Sequence, residues 1–248
     1  MEQGGSLVRA LRVLEAVSAL GDGVTAKAVA RRLGCPLPTA YRTLGTLVEE
    51  GYLVRLHEVR GYGLGYKVAE LHRGLVGQVR PAPEVRAAVH AVHEEAGAAA
   101  YLAVLRDDAV VVAHVDLCTD HPGRLGLRVG EPAPPHATAL GRALLADMTA
   151  ATVTAIVGSG GLPAFTPRTV AHRSGLDREL HRVRSAGAAI AVEEFHREVA
   201  EIAVARGTAA VGVAVSRSDF TARRARLEEI VRAGADRVGE ALRARPVP

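Results

Sequence analysis

Aromatic residues are scarce in this chain of 248 residues, and tryptophan is absent. Phe, Trp and Tyr together make up 3% of the sequence, whereas 48% of the residues are hydrophobic. A core of useful size must therefore be built mainly from Val, Leu, Ile and Ala. No stretch approaches the roughly 20 apolar residues that a membrane-spanning helix needs. The sequence therefore predicts a protein without membrane partners.

Cysteine is almost absent as well. Cys35 and Cys118 are the only two, and we expect them in different domains. No secretory signal peptide is recognisable at the amino terminus, and this combination predicts a reduced, cytoplasmic setting. The length is sufficient for two domains.

Positive charge is concentrated in the first third of the chain. Residues 1–80 hold eleven Lys or Arg and seven Asp or Glu, which gives 11 − 7 = +4. Residues 81–248 hold twenty of each, which gives 20 − 20 = 0. The excess is small, but its placement on one module suits attraction to phosphates.

Within that module, the sequence predicts two short helices joined by a tight turn. Thr25 is predicted to cap the first helix, and Gly34 to end it, because glycine best tolerates a positive φ. Pro36 and Pro38 interrupt the chain, and we expect Thr39 to cap the second helix. The predicted buried positions are Ala26, Val29, Ala30 and Leu33 in the first helix and Ala40, Leu44, Leu47 and Val48 in the second.

The opposite side of the second helix carries Tyr41, Arg42 and Thr46, free to meet a partner. Two strands, at residues 52–55 and 62–64, then bracket a short loop with Arg60 and Gly61, which predicts a wing. A small helical bundle with a solvated polar face would fit the same apolar pattern. The polar residues at the start of the second helix favour DNA binding, because a recognition helix reads bases there.

The rest of the chain predicts a linker and an α+β domain. A helix at 67–79 ends at the proline-containing segment 80–84, which marks a boundary. We expect domains at 1–66 and 84–248, separated by a linker at 67–83. The predicted strands of the second domain are 98–106, 109–116, 125–129, 190–194, 199–206 and 209–216, and its predicted helices are 84–97, 136–148, 150–157, 171–186 and 221–244.

Several phrases occur in the order and spacing of one family. They are SLVRALRVLEAV, VARRLGCPLPTAYRTLGTLVEEGYL and YGLGYKVAEL, followed by PPHATALGRALLAD, LPAFTPRTV and AGAAIAVEEF. From residue 6 to about residue 242, the chain resembles the IclR family of transcriptional regulators. The resemblance implies a winged helix-turn-helix and a GAF-like α/β domain that binds a small effector. It also implies a homodimer or dimer of dimers on a double-stranded DNA operator, and no cofactor.

The resemblance further implies site residues. Those for DNA are Thr39, Tyr41, Arg42 and Thr46 on the recognition helix and Arg55 and Arg60 at the wing. Those for the effector are Thr138, Ala139, Leu140, Ala191, Val199, Glu201, Ala214 and Ser216. Thr138 could instead be only a helix cap, and Val199 and Ala214 only core residues.

Glu201 departs from the family pattern, which often has a small or sulfur-bearing residue there. Strand alternation places it on one face with Val199 and Ala203. A buried carboxylate needs a cation, a proton or water. We therefore expect an amine or another donor on the effector to pair with Glu201. There are two alternatives: Arg128 or Arg142 neutralises the Glu201 carboxylate, or this end of the strand is exposed to solvent.

Catalysis and metal binding find little support in the sequence. His90 and His93 share a helix face, but no further ligand follows at a recognised spacing, which favours a solvated face. Glu193 and Glu194 are adjacent in a predicted strand, point to opposite faces, and cannot form a catalytic pair. A metabolic enzyme, or a regulator that answers to a protein partner, remain the alternatives to an effector-controlled transcription factor.

Overall fold

The computed structural model describes residues 5–106, 108–158 and 162–244. The chain divides into two compact units, Met1–Gly77 and Gln78–Pro248. The predicted connecting helix runs over Tyr66–Val79 and contains the point of division. No helix in these three described ranges has both the length and the apolar character required to cross a membrane.

The first unit contains three helices and a two-stranded hairpin before the connecting helix α4. Its elements are α1 (Ser6–Leu20), α2 (Ala26–Leu33), α3 (Leu37–Glu49), β1 (Leu53–Leu56), β2 (Gly61–Leu64) and α4 (Tyr66–Val79). The core consists of small aliphatic side chains, of which Val13, Val29 and Leu44 are completely buried. The predicted order of two helices and a winged hairpin is confirmed.

The predicted helix cap at Thr39 is wrong. Helix α3 begins at Leu37, and Pro36 occupies the capping position without a side-chain hydrogen bond. The amide of Thr39 already donates to the carbonyl of Pro36 at 3.0 Å. Because proline is tolerated within the first turn, where its missing N–H has no helical acceptor, Pro38 starts this helix rather than delaying it.

The second unit is a five-stranded antiparallel sheet with helices on both faces. Its elements are α5 (Pro83–Ala96), β3 (Ala99–Arg106), β4 (Ala109–Asp116), α6 (Ala139–Ala146), α7 (Ala150–Val157), α8 (Arg173–Ala186), β5 (Ala189–Val192), β6 (Val199–Arg206), β7 (Ala209–Ser216) and α9 (Arg217–Arg243). The strand order is β4-β3-β7-β6-β5. The strands pair antiparallel throughout, which agrees with the predicted α+β class.

Strand alternation divides the core into two layers. On one face, side chains such as Leu102, Ile202 and Val213 pack against α5 and α9. The other face carries mostly alanine, and α6 packs directly on it. Because alanine projects little beyond the backbone, α6 approaches the sheet closely, and all eight of its residues are buried.

One of the six strands predicted for this domain, at residues 125–129, does not form. Residues 125–129 are irregular, and Gly126 has a φ of +65°. Leu125 is nevertheless buried, so its apolar character reflects packing rather than strand pairing. The hairpin predicted between the first two strands is confirmed by the pairing of β3 with β4, although Asp107 lies outside the described residues.

The predicted strand at 190–194 extends too far. Strand β5 ends at Val192, and Glu193 has a φ of +57°, which is incompatible with continuing the strand. The argument that Glu193 and Glu194 lie on opposite faces of a strand is therefore wrong. Each carboxylate instead has its own arginine partners: Arg168 and Arg217 for Glu193, and Arg142 for Glu194.

Candidate DNA interface and effector site

The α2–α3 pair forms through local signals. The Thr25 hydroxyl accepts a hydrogen bond from the amide of Ala28 at 3.2 Å and so caps α2. Gly34 has a φ of +62°, the left-handed conformation that ends a helix. Three residues later α3 begins, which produces the tight turn between two helices that DNA-reading modules use.

The outer face of α3 is polar and exposed. Tyr41, Arg42 and Thr46 are exposed, whereas Thr39 is half-buried. The Thr46 hydroxyl donates to the carbonyl of Arg42 at 3.2 Å and remains available as an acceptor. Ala40, Leu44 and Leu47 anchor the opposite face in the core. A guanidinium, a phenol and a hydroxyl thus share one surface of a rigid helix, where they can contact base edges or phosphates.

The wing is held against the turn between α1 and α2. The amide of Gly23 donates to the carbonyl of Tyr62 at 3.0 Å, and the amide of Tyr62 donates to the carbonyl of Val24 at 2.9 Å. A Cβ at Gly61 would lie 2.2 Å from the carbonyl oxygen of Gly23, so this close approach requires glycine. The backbone of the wing is therefore fixed relative to the helices.

Two predicted DNA-contacting arginines lie on this wing. Arg55 is exposed on β1, and Arg60 is exposed at the tip with a φ of +48°. Within the described ranges, Arg42, Arg55 and Arg60 take part in no ion pair. Their charges are therefore available to a polyanion.

Three predicted effector residues, Ala191, Glu201 and Ala214, form one row across the sheet of the second unit together with Ala99. The strand register pairs Ala191 with Glu201, Glu201 with Ala214, and Ala214 with Ala99. Glu201 is therefore the only member of this row with a side chain longer than a methyl group. Sequence alternation predicted its face correctly, but the register of the row depends on the sheet.

Glu201 is 3% exposed, which rules out the alternative of a solvent-exposed strand end. Its Oε2 accepts a hydrogen bond of 3.1 Å from the amide of Ala139, the first residue of α6. Burial raises the pKa of Glu201 to about 8, although the Ala139 amide and the charge of Arg142 both oppose this shift. At neutral pH the carboxyl group is therefore largely protonated in the protein as described.

Neither arginine that we considered pairs with Glu201. Arg128 is exposed in the irregular segment. Arg142 is fully buried, but its guanidinium binds both carboxylate oxygens of Glu194 and donates to the carbonyls of His136 and Ile190 at 2.8 and 3.4 Å. The neutralising cation proposed from the sequence is therefore bound elsewhere, and Arg142 acts on Glu201 only through space.

The remaining predicted effector residues lie around the start of α6 and the ends of the strands. Thr138 caps α6 by accepting from the amide of Gly141 at 3.2 Å, so the simple capping role is confirmed for it. Leu140, on α6, and Val199, on β6, are buried in the same core layer. Ser216 is half-buried and caps α9 by accepting from the amide of Asp219 at 3.1 Å. A role in effector binding stays a prediction for the predicted set of eight residues.

Sequence reasoning missed two further segments that pack in the same core layer as this site. The amide of Leu125 donates to the Tyr101 hydroxyl at 3.3 Å, and its carbonyl accepts from His196 Nε2 at 2.8 Å. Burial raises the pKa of Tyr101, and the nearby charge of Glu201 adds to this. Phe195 packs against the same core layer. The sole tyrosine in an alanine- and valine-rich strand was the available sequence signal.

The predicted solvated helix face at His90 and His93 is half correct. His90 is exposed and lies 3.2 Å from a carboxylate oxygen of Asp116. His93 is 1% exposed, and its Nδ1 donates to the carbonyl of Ala98 at 2.8 Å. In the part of the chain that the structure describes, no three His, Cys, Asp or Glu side chains are placed to hold a metal ion.

A winged helix-turn-helix unit followed by an α/β unit with a buried polar site defines a ligand-responsive DNA-binding regulator. Residues 6–57 match the IclR helix-turn-helix domain, and residues 79–240 match the carboxy-terminal domain of bacterial IclR transcriptional regulators. These matches cover most of the chain. The chain therefore belongs to the IclR family, whose members are DNA-binding transcriptional regulators with a carboxy-terminal effector-binding domain.

Similar proteins of known role and structure agree with this assignment. The transcriptional repressor IclR of Escherichia coli (strain K12) is 28% identical over 197 residues, which are 76% of this chain and 69% of the repressor. The probable transcriptional regulator SauR of Cupriavidus necator is 28% identical over 221 residues, 86% and 87% of the two chains. An IclR homolog from Microbacterium hydrocarbonoxydans, solved with 4-hydroxybenzoate, is 25% identical with a TM-score of 0.71 and coverage of 96% and 99%.

Proposed function

We propose that this regulator binds a roughly palindromic operator through α3 and the wing. Arg42 and Tyr41 contact base edges in the major groove, and Thr39 and Thr46 flank them on the same helix. Arg55 and Arg60 bind the phosphate backbone beside the groove. The observation that carries this proposal is that Arg42, Arg55 and Arg60 are exposed and form no ion pair within the described ranges, in a unit with a net positive charge.

Arg42→Ala is expected to remove sequence selectivity at the operator. An arginine that binds guanine with two hydrogen bonds contributes about 1–3 kcal/mol of discrimination, so the affinity for the operator should fall about 5- to 150-fold. The affinity for unrelated duplexes should change little, because phosphate contacts remain. Footprinting and gel-shift titration at constant salt measure both quantities.

The matched control is Arg224→Ala, which removes an exposed arginine from α9 in the second unit. This variant should bind the operator like the unchanged protein. If Arg42→Ala keeps full selectivity, α3 is not the reading helix.

We also propose that the protein forms a homodimer or a dimer of dimers through its first unit. A palindromic site requires two DNA-binding units, one for each half-site. Leu7 and Leu11, one helical turn apart on α1, are 72% and 53% exposed, and Tyr66 and Leu71 on α4 are also exposed. Exposed apolar side chains of this size in one small unit are typical of an interface.

Leu11→Glu is expected to dissociate this assembly, because a carboxylate in an apolar interface must be desolvated. Light scattering coupled to size exclusion should show a lower mass, and operator affinity should fall at least tenfold in gel shifts because one DNA-binding unit binds alone. Leu117→Glu, at an exposed leucine of the second unit, should change neither measurement. An unchanged mass for Leu11→Glu would disprove the role of the α1 face.

The second unit is proposed to control the first through a small organic effector bound near Glu201 and the start of α6. The buried carboxyl without a cationic partner and the alanine row beside it support this location. The effector must interact differently with two arrangements of the dimer. We propose no catalytic role and no cofactor. Because its target is DNA, we propose that the protein acts in the cytoplasm.

A further inference from the structure

We propose that the effector is an organic amine, and that Glu201 selects it against carboxylates. This inference rests on the proposed function, because it names the chemical class that the same site accepts. Three properties of the Glu201 carboxyl support it: the groups around this carboxyl, their charges, and the number of hydrogen bonds that this carboxyl accepts.

The start of α6 already binds a carboxyl group of the protein. The free amides at a helix amino terminus favour an anion. Here the amide of Ala139 donates to Oε2 of Glu201, so the protein's own carboxyl group already occupies this position. A carboxylate effector would have to displace Glu201 from this amide or lie beside it. Two ionised carboxylates in one buried site repel each other, so a carboxylate effector could bind only while Glu201 keeps its proton.

Glu201 has no cationic partner among the described residues. The charged and titratable groups that act on Glu201 are Arg142 on α6, Glu194 after β5, and Tyr101 on β3. The only cation among them, Arg142, binds both oxygens of Glu194. A carboxylate can accept about four hydrogen bonds. Among the described residues only the Ala139 amide donates to Glu201. An ammonium group would bind the ionised form of Glu201, and it would supply both the counter-charge that this form needs and further hydrogen-bond donors.

The groups around Glu201 on this face of the sheet are mostly apolar, and α6 packs directly on that face. The neighbours of Glu201 in its row, Ala191 and Ala214, end at Cβ, so no long side chain competes for its carboxyl. Leu125 and Phe195 pack in the same core layer, and His196 is hydrogen-bonded to the carbonyl of Leu125. Because Glu201 is 3% exposed, an effector can reach its carboxyl only if the groups packed around it move apart. The organic part of the amine should therefore be apolar or aromatic.

Proton linkage provides a sharp test of the pairing. The pKa of Glu201 is raised to about 8 by burial, whereas an ammonium ion binds the deprotonated form. Affinity for amines should therefore rise as pH increases, by roughly 50-fold between about pH 6 and about pH 8 for a group of that pKa. A carboxylate should show the opposite trend, since it binds only while Glu201 is protonated.

The experiment is calorimetric titration of the full-length protein with matched probes. Benzylamine, cyclohexylamine and butylamine are compared with benzoate, cyclohexanecarboxylate and butyrate at about pH 6 and about pH 8. We expect at least one amine to bind in the millimolar range or tighter, with the pH dependence given above, and each carboxylate to bind at least tenfold more weakly than its matched amine at the higher pH.

Glu201→Gln should abolish the pH dependence and weaken amine binding at least tenfold at the higher pH, because glutamine carries no charge. Glu240→Gln, at an exposed carboxylate of α9, is the matched control and should leave both unchanged. The proposal is overturned if carboxylates bind the unchanged protein as tightly as the amines do. It is equally overturned if amine affinity does not depend on pH, or if none of the three amines binds.

Gel shifts with the operator, without any probe, separate this result from the proposed function. A protein that fails to bind DNA but selects amines refutes the DNA proposal alone. A protein that binds the operator normally but takes carboxylates refutes the amine proposal alone.

Discussion

Arg142→Met is expected to destabilise the second unit by about 3–5 kcal/mol, since it removes one partner of a buried ion pair. The Arg142 side chain is 1% exposed, and that of Glu194 is 13% exposed. The same guanidinium also binds the carbonyls of His136 and Ile190. Without it, a largely buried carboxylate and two carbonyls lose their donors, and methionine can replace only the apolar part of the side chain.

Urea unfolding followed by circular dichroism measures this loss, and the control is Arg182→Met. Arg182 pairs with Glu179 on the surface of α8, and its side chain is 71% exposed. A surface pair contributes less than about 1 kcal/mol, so this variant should be nearly as stable as the unchanged protein. The double variant Arg142→Met/Glu194→Gln should recover part of the loss, because it removes the orphaned charge. Equal stability of the Arg142 and Arg182 variants would contradict the buried role of Arg142.

Glu201→Gln is expected to remove a pH dependence of stability. The folded pKa of about 8 lies above the value of about 4.5 for a free carboxyl, so the folded protein holds a proton that the unfolded chain has lost between these two values. In that window the free energy of unfolding should therefore fall as pH rises, by up to about 1.4 kcal/mol per pH unit from this group. The contribution is complete below about pH 4.5 and is lost above about pH 8.

Glutamine retains an oxygen that can accept from the Ala139 amide and never needs to ionise. The Glu201→Gln variant should therefore show a flatter stability profile and exceed the unchanged protein by several kcal/mol at about pH 9. Chemical unfolding across the pH range tests this, with Glu240→Gln as the exposed control. Parallel profiles for the Glu201→Gln variant and the unchanged protein would show that Glu201 has an ordinary pKa.

The elements of the first unit could be predicted because their signals are local. Thr25 and Gly34 act on backbone groups within three or four residues, and the apolar face of α3 follows from helical spacing alone. The error at Thr39 came from two competing starting signals within one turn. A hydroxyl and a proline both mark helix starts, and only the backbone of residues 36–38 shows that the proline starts the helix.

The errors in the second unit have a different cause. Residues 125–129 have the apolar character of a strand, but they are held by the Tyr101 hydroxyl and by His196, 71 residues away from Leu125. His93 lies next to charged residues in the sequence and is nevertheless buried. Its Nδ1 donates a hydrogen bond to the Ala98 carbonyl, which satisfies this polar group inside the protein. The partners of Leu125 are distant in the sequence, and the partner of His93 is a backbone carbonyl, which no side-chain pattern marks.

The sequence by itself determined the family, the helix-turn-helix and wing, and the strand face on which Glu201 lies together with Val199 and Ala203. Helical and strand periodicity carry that information over short distances. Only the tertiary structure decided what Glu201 meets. The amide of Ala139 is 62 residues away along the chain, and Arg142, three residues further on, is bound to Glu194 instead. That choice depends on how closely α6 packs on the alanine-lined sheet, which is set by contacts between residues distant in sequence.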